Sequence, residues 1–140
     1  MPADEAIVLA GGFGTRLRGI VDDVPKPLAP VAGRPFLAWL LDRLAASGIR
    51  RCILATGYLA DTIERAIGAR WQGMDIVYSV EPEPLGTGGA IKLAATQLHG
   101  EGVHVLNGDT WLAYSPQALE RATRERDAAI GRALAEVEDV

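Results

Sequence analysis

Four short apolar runs, separated by segments of helical periodicity, constrain the fold of this 140-residue chain more than any other feature. Continuous apolar runs of this length, rich in β-branched and aliphatic residues, predict strands that are buried on both faces of a sheet. The predicted strands are Ala6 to Ala10, Arg51 to Thr56, Asp75 to Val80 and Val103 to Leu106. A further strand is predicted from Ala128 to Val137.

Helical patterns occupy the intervals between these strands, because apolar residues there recur on one face of a helix. The four predicted helices are Phe36 to Leu44, Ala60 to Ile67, Gly89 to Leu98 and Pro116 to Arg126. Pro35 suits the first turn of the first helix and Gly48 its C-terminal stop. Ser115 is the expected cap of the last helix.

This alternation of strands and helices predicts an α/β fold with a doubly wound, mainly parallel sheet and helices on both faces. Ligands of such sheets bind at the carboxyl ends of the strands. We expect residues 1–140 to form one domain, because no linker or internal repeat interrupts the pattern. The sequence stops in or just after a predicted strand, so we expect the domain to be C-terminally incomplete.

The charge pattern excludes several classes of partner. A net charge of −4, with both signs mixed along the chain, argues against a nucleic-acid-binding surface and against a polybasic membrane anchor. The start, MPADEA, is acidic where a signal peptide would be basic, and no apolar run approaches the roughly 18 residues of a membrane span. We therefore expect a cytoplasmic protein that binds a small molecule. Cys52, the only cysteine, is expected to be a buried small hydrophobe.

The stretch GGFGTR directly follows the first predicted strand. Gly11, Gly12 and Gly14 have no β-carbon, so backbone amides there can close around an anion such as phosphate. Arg16 is suited to bidentate capture of phosphate oxygens. The spacing differs from the dinucleotide-binding fingerprint, which would need glycine at Leu17, and from the P-loop. A plain glycine-rich turn beside a solvated arginine is the alternative.

Lys26 stands between Pro25 and Pro27. Prolines restrict both their own backbone and that of the preceding residue, so we expect Lys26 to be presented from a stiff, extended segment. Such a segment would place the charge reproducibly near the glycine loop. The alternative is a solvated lysine in a proline-rich loop.

Together, LAGGFGTRL and KPLAPVAGRP resemble the signature of the sugar-1-phosphate nucleotidylyltransferases. EPEPLGTGGAI and VLNGD resemble two more blocks of that family in the expected order, so the resemblance covers almost the whole chain. It implies a Rossmann-like nucleotidyltransferase fold. Within the family, EPLGTGGAI and NGD are most similar to the D-glycero-D-manno-heptose 1-phosphate guanylyltransferases, followed by the mannose-1-phosphate guanylyltransferases. Complete members run well past this chain's end, which implies an N-terminal, nucleotide-binding part.

The resemblance implies transfer of a nucleoside monophosphate from a nucleoside triphosphate to a sugar 1-phosphate, with Mg²⁺ as cofactor and pyrophosphate as the second product. Arg16 would hold the leaving pyrophosphate, Lys26 would meet the α-phosphate, and both are expected to be catalytic together with Asp109. The residues expected to bind the nucleotide are Leu9, Ala10, Gly11, Gly12, Gly14, Thr15, Arg16, Lys26, Glu81, Gly86 and Asn107.

Asp109 is the candidate metal ligand, since it follows a predicted strand through Asn107 and Gly108. A hard carboxylate suits Mg²⁺, which commonly takes one or two protein carboxylates and fills its other positions with water and phosphate oxygens. In the family a second aspartate, well downstream, shares the ion, and nothing in these 140 residues matches it. An ordinary Asn-Gly-Asp turn is the alternative.

Glu81 stands where uridylyl and thymidylyl relatives carry glutamine. Guanine offers two adjacent donors that an ionised carboxylate can accept, whereas a uracil oxygen would be repelled. We therefore favour GTP as the nucleotide. Glu81 as a solvated residue at a strand end, and Glu83 as a competitor for the contact, remain alternatives.

Other readings stay open from the sequence. The same chemistry with UTP or TTP is one, and a non-catalytic module that binds a nucleotide or sugar phosphate is another. His99 and His104 lack a carboxylate or cysteine at metal-ligand spacing, so we expect surface or strand-packing roles for them. Trp111 and Tyr114 are candidates for the border of a sugar pocket. The sequence indicates neither which sugar 1-phosphate is used nor the oligomeric state.

Overall fold

The structure is a computed structural model that describes residues 3–11, 25–57, 59–111 and 114–132. Its strands are β1 (Glu5–Leu9), β2 (Pro30–Val31), β3 (Arg34–Pro35), β4 (Arg51–Thr56), β5 (Arg70–Trp71), β6 (Met74–Val80) and β7 (His104–Asn107). Its helices are α1 (Phe36–Ala46), α2 (Ala60–Ile67), α3 (Gly86–Ala95) and α4 (Pro116–Glu125), with a 3₁₀ turn at Lys26–Leu28.

The central sheet has the strand order β5-β6-β4-β1-β7. In this sheet β6, β4, β1 and β7 run parallel to one another. The short edge strand β5 runs antiparallel to β6. The predicted α/β fold with a mainly parallel sheet is therefore confirmed. From β1 the chain first builds the sheet outwards through β4 and β6 and then returns to place β7 on the other side of β1. The strand order reverses between β1 and β7, which is where such sheets bind ligands.

Helices cover both faces of the sheet, as predicted. Ala6 and Val8 of β1 pack in the same buried cluster as the leucines of α1 and Ile63 of α2. Ile7, which points to the opposite face, packs with Ala90 of α3. This alternation explains why the four residues of β1 from Ala6 to Leu9 are all apolar.

Cys52 lies in the first of these clusters and is fully buried, as expected. Burial raises the pKa of its thiol to about 12. The thiol therefore stays protonated near neutral pH and has a packing role rather than a nucleophilic one.

Several element boundaries differ from the sequence prediction, and two of these differences, at the starts of α3 and α1, have a clear physical reason. α3 begins at Gly86, three residues before the predicted start, because packing of Ala90 and Ala94 against the sheet outweighs the low helix propensity of the glycines. Pro35 precedes α1 as its cap, where it pairs with Pro30 in the β2–β3 hairpin. The positive φ of Gly48, +92°, agrees with its predicted role in ending α1.

The predicted extended segment at Lys26 is wrong. Pro25 is extended, but Leu28 N–H donates to Pro25 O at 2.8 Å and Ala29 N–H donates to Lys26 O at 3.1 Å, which closes a turn. Burial of Pro27 and Leu28 favours this turn over the extended form. Lys26 is still held by a short, closed structure.

The predicted strand from Ala128 to Val137 is not found in residues 128–132, and the remainder of it lies outside the described residues. Instead, Ala128 N–H donates to Thr123 O at 3.0 Å, so the chain turns back on the end of α4. None of the helices in the described ranges has the length and apolar content that a membrane crossing needs.

Candidate active site

A cleft of about 330 Å³ opens at the carboxyl end of the sheet, beside the point where the strand order reverses. The ends of β1, β6 and β7, the 3₁₀ turn and the first turn of α3 form its walls. Its lining residues are Leu9, Ala10, Gly11, Lys26, Pro27, Glu81, Pro84, Gly86, Thr87, Ala90, Asn107 and Asp109. The volume is within the usual range for a small-molecule site.

The structure brings the predicted site residues together wherever it describes them. Those that line the cleft are Leu9, Ala10, Gly11, Lys26, Glu81, Gly86, Asn107 and Asp109. The remaining predictions, Gly12, Gly14, Thr15 and Arg16, lie outside the described residues. Four separate segments of sequence thus meet in one cleft.

Lys26 and Asp109 form an ion pair on the cleft wall, with Lys26 Nζ 2.8 Å from Asp109 Oδ2. Both side chains are partly solvent-exposed, at 53% and 37%. The hydrogen bond from Lys26 holds the pKa of the Asp109 carboxyl below its usual range, although partial burial acts in the opposite direction. Within the described residues, this ion pair therefore presents an ammonium group and an ionised carboxylate, both partly exposed, to any ligand that enters.

Glu81 follows β6, and hydrogen bonds hold both its backbone and its side chain. Its N–H donates to Thr56 O at 2.7 Å, which anchors the backbone to β4. Its carboxylate Oε2 accepts a hydrogen bond from Leu85 N–H at 3.2 Å. The carboxylate is therefore directed along the cleft towards the start of α3.

Two glycines allow the chain segments around the cleft to pack closely against one another. A β-carbon at Gly11 would lie 3.1 Å from Glu81 Oε1 and 3.2 Å from the carbonyl carbon of Thr56. A β-carbon at Gly108 would lie only 2.9 Å from Leu9 O. Glycine at these positions lets the ends of β1, β4 and β7 approach one another, so that backbone groups line the floor of the cleft.

The family was determined by comparison with known proteins. Residues 5–139 match the family model described as nucleotidyl transferase. The chain belongs to the nucleotidyl transferase family. The cleft lies at the carboxyl edge of the sheet, the position where nucleotides bind in doubly wound folds.

Individual relatives resemble this chain closely over part of their length. A D-glycero-alpha-D-manno-heptose 1-phosphate guanylyltransferase of Aneurinibacillus thermoaerophilus is 50% identical over 106 residues, covering 76% of this chain and 46% of that protein. A mannose-1-phosphate guanylyltransferase of Mycobacterium tuberculosis is 46% identical over 106 residues, covering 75% and 30%. The crystal structure of HddC from Yersinia pseudotuberculosis complexed with GMP-PN has a TM-score of 0.78 and 35% identity, covering 86% and 54%. The chain spans about half the length of these relatives, or less.

The donor set of the cleft fits a magnesium ion that is shared with a ligand. Asp109 supplies one hard carboxylate oxygen donor, partly exposed to the cleft. The described part of the chain contains no group of three or more carboxylate, imidazole or thiol side chains that could enclose a metal by themselves. Mg²⁺ is commonly bound by one or two protein carboxylates, with phosphate oxygens and water in its remaining positions. The single carboxylate of Asp109 is compatible with that arrangement.

Four residues that line the cleft were not predicted from the sequence: Pro27, Pro84, Thr87 and Ala90. Pro27 and Pro84 flank predicted site residues, and neither carries a polar side chain that would single it out. Thr87 and Ala90 lie next to Gly86 and one turn beyond it. They would have been found had α3 been predicted to start at Gly86.

Several other candidates lie away from the cleft lining. Trp111 packs edge-to-face on Phe36 and lies under the Arg43 guanidinium, 4.9 Å from it, and Tyr114 also contacts Arg43. Neither residue lines the described cleft, and the suggestion that Trp111 and Tyr114 border a sugar pocket stays a prediction. Glu83 is exposed and is not part of the cleft wall, which removes it as a competitor of Glu81 in this structure.

The two histidines have structural contacts. His104 is buried on β7 with Nε2 3.4 Å from Glu120 Oε2 of α4. His99 donates its backbone N–H to Glu5. His104 therefore has the strand-packing role, and the exposed His99 the surface role, that the sequence leads us to expect.

Proposed function

We propose that residues 1–140 are the nucleotide-binding part of a sugar-1-phosphate guanylyltransferase. The enzyme would transfer GMP from GTP to a heptose or mannose 1-phosphate and release pyrophosphate. The observation that carries this proposal is the cleft beside β1 and β7, in which Lys26, Glu81 and Asp109 meet around bare glycine backbone. The guanylyltransferases that are 50% and 46% identical to this chain support the choice of GTP and of a sugar phosphate.

The reaction is a displacement at phosphorus. An oxygen of the sugar 1-phosphate forms a bond to the α-phosphorus of GTP while the bond from that phosphorus to the bridging oxygen breaks, and the electron pair leaves with pyrophosphate. Such reactions depend mainly on holding two polyanions in line and neutralising the charge on their oxygens. We assign contact with the α-phosphate to Lys26, and contact with the leaving pyrophosphate to Arg16, which lies outside the described residues.

Lys26 can fulfil this role because its ammonium group is half exposed and its partner Asp109 is on the cleft wall. In our proposal the ammonium leaves Asp109 for a phosphate oxygen when the nucleotide enters. Asp109 would then hold Mg²⁺ together with phosphate oxygens. Mg²⁺, when bound, supplies positive charge that neutralises the triphosphate.

Glu81 is the residue to which we assign selection of the base. Its carboxylate can accept hydrogen bonds from the ring N–H and the exocyclic amine of guanine, and it is fixed by the bond from Leu85 N–H. A uracil or thymine ring would direct a carbonyl oxygen at the same carboxylate. The unpaired and repelled oxygen would lower the affinity for UTP and TTP.

We expect residues 1–140 alone to be inactive, so the decisive experiment measures pyrophosphate release by a complete enzyme that contains them, from GTP, UTP and TTP with Mg²⁺ and either heptose 1-phosphate or mannose 1-phosphate. Faster release from GTP supports the proposal. Faster release from UTP or TTP would make the protein a uridylyl- or thymidylyltransferase. Calorimetric binding of GTP with no release from any pair of substrates would favour a non-catalytic binding module instead.

A further inference from the structure

Gly89 lies in the first turns of α3, but it is not one of the residues that line the cleft. A β-carbon at this position would lie 2.7 Å from Leu85 Cβ, a separation that non-bonded carbon atoms do not reach without a shift of one of them. The atom it would meet is close to the Leu85 backbone and not at the far end of the side chain. The present position of Leu85 therefore depends on the absence of a side chain at Gly89.

Leu85 connects this contact to the cleft. It caps α3, and its N–H donates to Glu81 Oε2 at 3.2 Å. That distance is at the long end for an N–H···O hydrogen bond, so a displacement of a few tenths of an ångström away from Glu81 would break it. On its other side, Glu81 Oε1 lies close to the open face of Gly11. The carboxylate is thus positioned between a donor at the start of α3 and the bare backbone after β1.

We propose that Gly89 is a positioning residue for nucleotide selection, acting through Leu85 on the carboxylate of Glu81. This inference rests on the proposed function, because it requires Glu81 to select guanine. A methyl group at position 89 displaces Leu85, the hydrogen bond to Glu81 is lost, and the carboxylate can no longer face both donors of guanine. Binding of UTP, which does not use that arrangement, is changed less.

Gly88 provides a matched control. It is the preceding residue of the same helix, and a β-carbon there would meet no atom within 4 Å. Neither glycine has a positive φ, so alanine fits the backbone at both positions. Replacement of an exposed helical glycine by alanine normally stabilises a helix, and Gly88→Ala reports that effect alone.

The experiment measures the affinities of GTP and UTP by calorimetry for the unsubstituted protein, Gly88→Ala and Gly89→Ala, with thermal unfolding recorded for each. We expect Gly89→Ala to reduce the GTP-over-UTP ratio by about tenfold, the size of one hydrogen bond to a charged group. Gly88→Ala should keep the ratio. A merely structural role for Gly89 would lower both affinities or the unfolding temperature and leave the ratio unchanged, which would overturn the inference.

A second variant covers the case in which Gly89→Ala does not fold. Leu85→Pro removes the donating N–H without adding a methyl group to α3, and proline is acceptable at a helix start. It should reduce the ratio similarly, and an unchanged ratio would contradict the inference. If the unsubstituted protein binds GTP no better than UTP, the proposed function itself fails. If it prefers GTP and both variants retain that preference, only the role of Gly89 and Leu85 fails.

Discussion

Lys26 Nζ and Asp109 Oδ2 lie 2.8 Å apart, joining the turn before α1 to the end of β7. Exposed ion pairs of this kind contribute little to stability, because water screens both charges and two side chains must be ordered. The same exposure leaves both groups free to exchange partners when a polyanion and a divalent cation arrive. The pair is better suited to binding and reaction than to holding the fold together.

Lys26→Ala should therefore separate activity from stability. We expect it to raise the barrier to turnover in a complete enzyme by about 3 kcal/mol, the scale of one preorganised contact to the transition state. The free energy of unfolding should change by less than about 1 kcal/mol. Steady-state pyrophosphate release and urea denaturation measure the two quantities.

Arg70→Ala is the matched control for Lys26→Ala. Arg70 forms an exposed ion pair with Asp75 at 2.7 Å, outside the cleft lining. Its removal should leave turnover unchanged. A loss of turnover below threefold in Lys26→Ala would remove Lys26 from the mechanism.

Asp109→Ala should weaken the dependence of GTP binding on Mg²⁺. The cleft offers Asp109 as a hard ligand within the described residues, so the bound ion would lose a protein oxygen. Titrations of GTP with and without Mg²⁺ measure the effect, and Asp75→Ala, which removes an exposed carboxylate elsewhere, is the control. The same Mg²⁺ dependence in Asp109→Ala and in the unsubstituted protein would exclude Asp109 as a ligand.

The fold was predictable because each buried strand is apolar at consecutive positions, as Ala6 to Leu9 illustrate. The resemblance placed Lys26 and Asp109 in one site, but their direct ion pair was not predictable from the residue pattern, since it depends on β7 pairing with β1 rather than with β6. The strands at Pro30–Val31, Arg34–Pro35 and Arg70–Trp71 were missed because two residues are too few to show a period. The turns after Val31 and Trp71 require a positive φ at Ala32 and Gln72. Alanine and glutamine rarely adopt a positive φ, so the sequence does not indicate these turns.

Glu81→Gln should shift nucleotide preference from GTP towards UTP or TTP by about tenfold or more, because an amide can donate to a pyrimidine oxygen and a carboxylate cannot. Competition binding with the three triphosphates measures this preference. Glu83→Gln makes the same chemical change two residues away on an exposed side chain and should have no effect. An unaltered nucleotide profile in Glu81→Gln would refute the assignment of the base contact.

Gly108→Ala should destabilise the junction of β1 and β7. Gly108 N–H donates to Leu9 O at 2.8 Å, and a β-carbon would lie 2.9 Å from that same oxygen. Relief requires movement of the backbone, so we expect the free energy of unfolding to fall by about 1–3 kcal/mol. Gly88→Ala, which adds a methyl group in open space, should not lower it; equal stabilities for the two variants would show that the junction can relax without cost.

Glu5→Gln should produce a pH-dependent loss of stability. The Glu5 side chain is only 4% exposed, accepts backbone N–H groups of His99 and Gly100, and pairs with Arg51 Nη1 at 2.9 Å. Burial raises the pKa of this carboxyl, but these three donors outweigh burial and the net pKa is below its ordinary value of 4.5. A pKa that is depressed in the folded state contributes stability above the unfolded pKa and loses it as the pH falls through the folded pKa.

At pH 7, Glu5→Gln should therefore lower the free energy of unfolding by about 2 kcal/mol, the scale of hydrogen bonds to a buried charged group. As the pH falls below about 4.5 the difference from the unsubstituted protein should begin to shrink, because the unfolded carboxyl takes up its proton first, and it should be lost as the pH passes through the lower pKa of the folded state. Urea denaturation at a series of pH values measures the difference, and Glu101→Gln, on an exposed side chain in the same connection, should show none. A difference that stays constant from pH 7 to pH 3 would mean that Glu5 acts through its shape and not through its charge.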